Sequence, residues 1–245
     1  MTNRTVENSP QWYARACGLV YLAIILFGGF AEGYVMDSVV VSGNHAATAR
    51  NIAASPALWH ASLVANLLVP ILAVGSMWFM YLLLRPVNKQ LILLSVFLTL
   101  VSLSVEAVSK LFLILVVPIL SSPNYLQAFE PQQLHAFANL ALASHNIGFN
   151  IALIFFGCAC LVDGYLILKS GYFPKLIGLL MQLAGVSYLV GCFAALFAPA
   201  VSALISPAVL VPALIGESSF CLWLLVRGVD VAKWSARIDL ERVGA

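Results

Sequence analysis

The stretch "VLVPALIGESSFCLWLLVRG", Val209–Gly228, decides how the chain is read. It is apolar almost throughout, and about 20 such residues of helix cross the hydrocarbon core of a bilayer. Yet Glu217 stands near its middle. An acidic group at that depth costs roughly 2.5–3.5 kcal/mol on insertion scales. It is tolerated where neighbouring helices turn it toward protein or water. The stretch therefore predicts a membrane span and, with it, a polar interior that other helices must share.

The rest of the chain agrees. Of 245 residues, 62% are apolar and 9% are charged, with a mean hydropathy of +0.99. Soluble domains average roughly 45–50% apolar and about 25% charged. So few charges cannot cover a water-facing surface, and the lipid bilayer is the partner the composition requires. A net charge of +2 gives no footing for nucleic acid.

Six segments qualify as spans, at about 15–36, 56–84, 90–119, 145–168, 175–197 and 207–227. The breaks "RPVNK", "SSPNY", "KSGYFPK" and "APAVSALISP" carry the Pro, Gly, Asn and Ser of turns. The fold class is an all-α polytopic bundle, with 1–228 as one transmembrane domain. The first apolar run lacks a signal-peptide cleavage pattern and reads as a retained helix. The tail, 229–245, places Val231, Trp234 and Ile238 on one side, as in a short amphipathic helix on the inner leaflet. Residues 131–168 as one helix would run about 57 Å, too long for one span. An outside helical stretch, interfacial or protruding, is expected, with Ser144–Gly148 as the place where it can bend.

Ten of the twelve basic residues fall on one side: Arg4, Arg15, Arg85, Lys89, Lys169, Lys175, Arg227, Lys233, Arg237 and Arg242. The positive-inside rule makes that side cytoplasmic and puts both termini of this multi-pass protein there. Spans two, four and six end "YLLLR", "YLILK" and "WLLVR": an aromatic for the headgroup boundary and a base that snorkels beyond it.

This direction gives each buried polar residue a depth. Glu32 is near the outer end of span one, and His60 lies in the outer part of span two. Glu106 is mid-span in span three, and Lys110 lies in that span's outer half. His145 and Asn146 fall at the outer start of span four. All four histidines, His45, His60, His135 and His145, lie outside or in the outer half, whereas Asp163 lies near the inner end of span four. In span three, Ser95, Thr99, Ser102, Glu106 and Lys110 form one helical stripe. Glu106 and Lys110, four apart in the favoured order, read as a buried ion pair or part of a proton path. The hydroxyls serve either helix contacts or a hydrated lining.

Gly29 and Gly33 in span one, and Gly178, Gln182 and Gly185 in span five, are small stripes for close helix packing. Glu217 has no base one turn away, so its partner comes from another helix or it is protonated. Cys17, Cys158, Cys160, Cys192 and Cys221 all fall in or beside apolar segments and read as inert packing residues. No cofactor is expected: the chain has no P-loop, dinucleotide fingerprint or haem-attachment motif. Metal is not expected either, since His60, His145, Glu32 and Glu217 have ligand chemistry but no ligand spacing. No nucleophile elbow is present.

Five stretches resemble a bacterial integral-membrane family, domain of unknown function 4386. They are "ARACGLVYLAIILFGGFAE" (14–32), "YLLLRPVNKQLILL" (81–94), "NYLQAFEPQQLHAF" (124–137), "FFGCACLVDGYLILKSGYFPKLIGLLMQLAGVSYL" (155–189) and "LVPALIGESSFCLWLLVRG" (210–228). The resemblance spans about 13–228, with "RPVN" and "SGYFPKLIG" its most specific parts. It implies a six-helix protein of a bacterial inner membrane and carries no established activity. It also implies polar residues at Glu32, around His145 and at Glu217, while Cys160 and Asp163 depart from it.

Three functions fit this pattern. The first is binding or transport of a small lipophilic molecule in a pocket in the outer half of the bundle, contacted by Glu32, His145, Asn146 and Glu217, with a protonatable Glu217 able to couple binding to pH. The second is a membrane enzyme acting on a lipid or isoprenoid-like substrate through carboxylate and histidine. The third is a non-catalytic accessory bundle, which requires every polar group to be paired directly, with no pocket.

Overall fold

The computed structural model describes residues 9–206 and 208–243, with side chains described up to 239. Arg4 and the side chain of Arg242 lie outside the described residues. Among the described residues there is no strand. Six helices are long and apolar enough to cross a membrane: Pro10–Val39, Pro56–Leu84, Lys89–Ser121, Pro131–Ser170, Lys175–Phe197 and Ala208–Val226. These are spans one to six below. Short helices at His45–Ala54, Pro123–Ala128 and Pro199–Ile205 join the spans at one end. The helix Val231–Val243 follows span six at the other.

Local chemistry sets the boundaries. Pro10, Pro56, Pro123, Pro131 and Pro199 open their helices, where a missing N–H costs nothing. The Asn88 side chain caps span three by accepting from the Leu91 N–H at 3.0 Å. Glu130 and Gln133 form a reciprocal capping box at the start of span four. Gly171, at φ 78°, ends that span in the left-handed conformation glycine adopts without strain.

Each span packs against its neighbours in the chain, and span six returns against span one. The bundle is therefore a closed ring of six helices. Spans four and five approach most closely at two reciprocal glycine pairs. A Cβ on Gly164 would lie 2.7 Å from the Gly178 carbonyl oxygen, and one on Gly157 would lie 3.0 Å from that of Gly185. The pairs are seven residues apart on each helix, two turns, as antiparallel register demands. Gly148 makes a similar approach to Ser109 of span three. Gly29 and Gly33 do not: a Cβ on either would meet nothing within 4 Å. The expected packing stripe in span one is thus corrected. Both glycines instead lie in a π-helical turn, Gly29–Val35, that contains Glu32.

Span four is one uninterrupted helix from Pro131 to Ser170, about 60 Å at the helical rise, so the expected outer helical stretch is continuous with the span. Its N-terminal part packs on the helix His45–Ala54. The burial there of Ala138, Leu142, Ile52, Trp59 and Val116 in one apolar cluster gives the extension its support.

The end that carries the basic turns is tied by side chains bonding to freed helix-end backbone. Gln11 donates to the Arg227 carbonyl at 2.8 Å and accepts from the Val229 N–H at 3.0 Å. The Tyr172 hydroxyl and the Trp234 indole N–H both donate to the Leu83 carbonyl, at 2.7 and 3.1 Å. Arg237 donates to the Lys169 carbonyl at 2.8 Å. Trp234 is half-buried and Ile238 is buried, while Val231 is exposed. The apolar side of the tail helix therefore docks largely on the bundle. At its start Asp230 accepts from the Lys233 N–H and pairs with the Lys233 amine at 3.2 Å, and these contacts hold its carboxyl below the ordinary range.

Candidate functional site

Two apolar clusters bracket a polar layer. One, with Leu83, Leu84, Ile92, Leu166, Tyr172 and Phe220, lies toward the basic end. The other, around Trp59, Leu113 and Val116, seals the opposite end. Between them the helices place two polar groupings.

The first grouping gathers on Lys110, whose side chain is 2% exposed. Its amine lies 2.6 Å from Glu32 Oε1 and 3.5 Å from Glu106 Oε1. His145 Nε2 lies 3.3 Å from the other oxygen of Glu32, and its Nδ1 lies 3.3 Å from the Ser109 carbonyl. Phe149 completes the setting. Its ring lies 4.3 Å from the amine and stacks on the His145 ring at 5.7 Å. Span one supplies Glu32 through the π turn, span three supplies the stripe, and span four supplies His145 and Phe149. Such turns recur where a helix must re-aim a side chain at a functional site.

The Glu106–Lys110 pair is present, and Glu32 joins it as the nearer partner. His145 is fully buried, well inside the helix that begins at Pro131. Asn146, one residue on, is exposed, and its carbonyl accepts from Asn150, so it joins neither grouping.

The second grouping lines a cavity of about 340 Å³ at the centre of the ring, with contributions from all six spans. Glu106, Asp163 and Glu217 are its carboxyls, and Ser95, Thr99 and Ser102 of the span-three stripe line one wall. Ser102 donates to the Ala152 carbonyl at 2.8 Å, so the stripe serves both as helix contact and as lining. The Tyr188 hydroxyl of span five donates to Glu217 Oε1 at 2.6 Å, which gives Glu217 its partner from another helix. Asp163 Oδ1 and the Tyr21 hydroxyl are buried with no hydrogen-bond partner. Glu32 and His145 do not line this cavity. The expected single pocket is therefore two adjoining sites that meet at Glu106 and Phe149. The cavity also reaches Ile92, Met80 and Asp163, so it is not confined to the half away from the basic end.

His60 bonds the carbonyl of its own Pro56 at 2.7 Å on an exposed face, which removes it from any set with Glu32, His145 and Glu217. All five cysteines are free, and four of them are buried. Tyr21 and Tyr188 escape sequence reasoning, because a tyrosine within an apolar run carries no mark of a polar role. Asp163 stands out in the sequence only as the polar residue out of place in depth.

The family model described as "Domain of unknown function (DUF4386)" matches residues 16–228. No curated protein and no solved structure matches the chain.

Proposed function

The chain belongs to the DUF4386 family, and from that premise we propose that this member is an intramembrane binding protein for a small, mainly lipophilic molecule. The site is the central cavity. One observation carries the reading: a space of about 340 Å³, with walls apolar apart from a few convergent polar groups, bounded by all six helices. Ligand sites have this character: concave, largely apolar, with few polar groups that fix orientation. An accessory bundle would pair its polar groups directly. Here Asp163 Oδ1 and the Tyr21 hydroxyl remain without partners beside the cavity. We place the protein in a bacterial inner membrane with both termini cytoplasmic, a reading supported by the basic residues gathered at one end of the ring.

Gly28 supplies the test. It lines the cavity, and a Cβ there meets nothing within 4 Å, so a side chain can leave the helix at this point without disturbing a helix contact. Purified wild-type protein and Gly28→Leu are extracted with organic solvent, and the extracts are compared by mass spectrometry. A small apolar compound enriched with wild type and depleted with the variant is expected. Identical extracts from two folded proteins would oppose the reading.

A further inference from the structure

The cavity walls carry three carboxyls, Glu106, Asp163 and Glu217, and, among the described lining residues, no Lys, Arg or His. The nearest base is Lys110, which is held 2.6 Å from Glu32 and shared with Glu106. Glu217 and Asp163 make no ion pair among the described residues. Glu217 accepts from the Tyr188 hydroxyl with the Tyr21 hydroxyl nearby, and Asp163 has Ser95 nearby but no hydrogen-bond partner on Oδ1. A buried carboxylate without a counter-charge is costly, and a cation beside it offsets that cost.

The rings around these acids point the same way. Tyr21 and Phe220 meet edge to face at 6.0 Å, and Phe156 and Tyr188 do so at 5.5 Å. All four line the cavity. Tyr21 is only 8% exposed, and its hydroxyl lies near Glu217 without closing a hydrogen bond. Aromatic faces attract cations, and rings grouped about a pocket are a recurrent way to hold a quaternary ammonium. An anionic lipid head would meet three acids and no free base.

We propose that the cavity selects a lipophilic cation: an ammonium head held by Glu217 and Asp163 among the rings of Tyr21, Phe156, Tyr188 and Phe220, with an apolar body along the remaining wall. This rests on the binding function proposed above and names its ligand class.

The test uses the full chain in nanodiscs and three probes of nearly one shape. They are benzyltrimethylammonium, its uncharged carbon isostere neopentylbenzene, and the anion phenylmethanesulfonate. Affinity is read from the concentration dependence of thermal unfolding. The cation is expected to bind about tenfold or more tighter than the isostere, and the anion not to bind. The double variant Glu217→Gln/Asp163→Asn, both near-isosteric changes, is expected to bind cation and isostere alike. If the wild type binds the isostere as well as the cation, the cation inference falls and the cavity remains a lipophilic site. If the double variant keeps the preference, the assignment to these acids falls. If none of the probes binds the wild type, the binding function itself fails.

Discussion

Lys110 reaches across from span three to Glu32 of span one, 78 residues away in the chain, and closes to 2.6 Å. The same amine stands 3.5 Å from Glu106 on its own helix. One cation is thus shared by two acids, Glu106 buried and Glu32 part-buried. Its removal would leave both without a counter-charge, and breaking a buried pair from one side costs about 3–5 kcal/mol. Lys110→Met is therefore expected to lower the thermal unfolding midpoint in detergent far more than Glu32→Gln. In a Glu32→Gln/Glu106→Gln background the same Lys110→Met change should cost little. A similar loss in both backgrounds would mean that Lys110 acts by packing and not by charge.

Gly164 and Gly178 make the opposite kind of contact, one with no room at all. A Cβ on either would lie 2.7 Å from the other's carbonyl oxygen, and backbone cannot step aside as a side chain can. Gly164→Val is expected to force spans four and five apart and cost at least the roughly 1–3 kcal/mol of overpacking. Gly33→Ala, with nothing within 4 Å, is the control and should leave the unfolding midpoint close to that of the wild type. Thermal unfolding followed by circular dichroism separates the two.

The Tyr188 hydroxyl donates to Glu217 at 2.6 Å within the cavity wall. Tyr188→Phe keeps the ring and its edge-to-face contact with Phe156 but removes the donor. Leaving a buried group without its hydrogen-bond partner costs about 1–3 kcal/mol, so a loss in that range is expected. Glu217→Gln retains an acceptor for the hydroxyl and should be milder. Equal effects of the two variants in the same unfolding assay would show that the hydroxyl bond is not what matters at this site.

The fold class is legible in the sequence because it rests on composition and length. Six apolar runs separated by turn residues leave few other structures in lipid. The polar stripe of span three is legible for a similar reason, since helical spacing by itself places Ser95 through Lys110 on one face. What meets that stripe is not. Glu32 approaches through a π turn that "GFAEGYV" does not announce, and its two glycines read as packing residues until their surroundings are seen. Hydrophobicity marks the apolar part of span four but not its helical start at Pro131, well before His145. The glycine register of spans four and five is half visible. Gly178 and Gly185 stand out by their spacing, but Gly157 and Gly164 gain meaning only from the antiparallel pairing.

The tail helix has the sequence of one lying on lipid, yet Trp234 donates to the carbonyl of Leu83, and so does Tyr172. Leu83 is in the last turn of span two, where carbonyls lack a helical donor four residues on. Two side chains therefore serve one acceptor. Tyr172→Phe alone leaves the indole bond, and Trp234→Phe alone leaves the hydroxyl bond. Each should cost about 1 kcal/mol or less. Only the double variant strands the carbonyl, and a buried acceptor without a partner costs a further 1–3 kcal/mol or so. The double variant should then lose more than its two parts added together, with early proteolytic release of the tail from Val231 onward. Simple additivity in unfolding, with the tail equally protected, would mean that the shared carbonyl does not hold it.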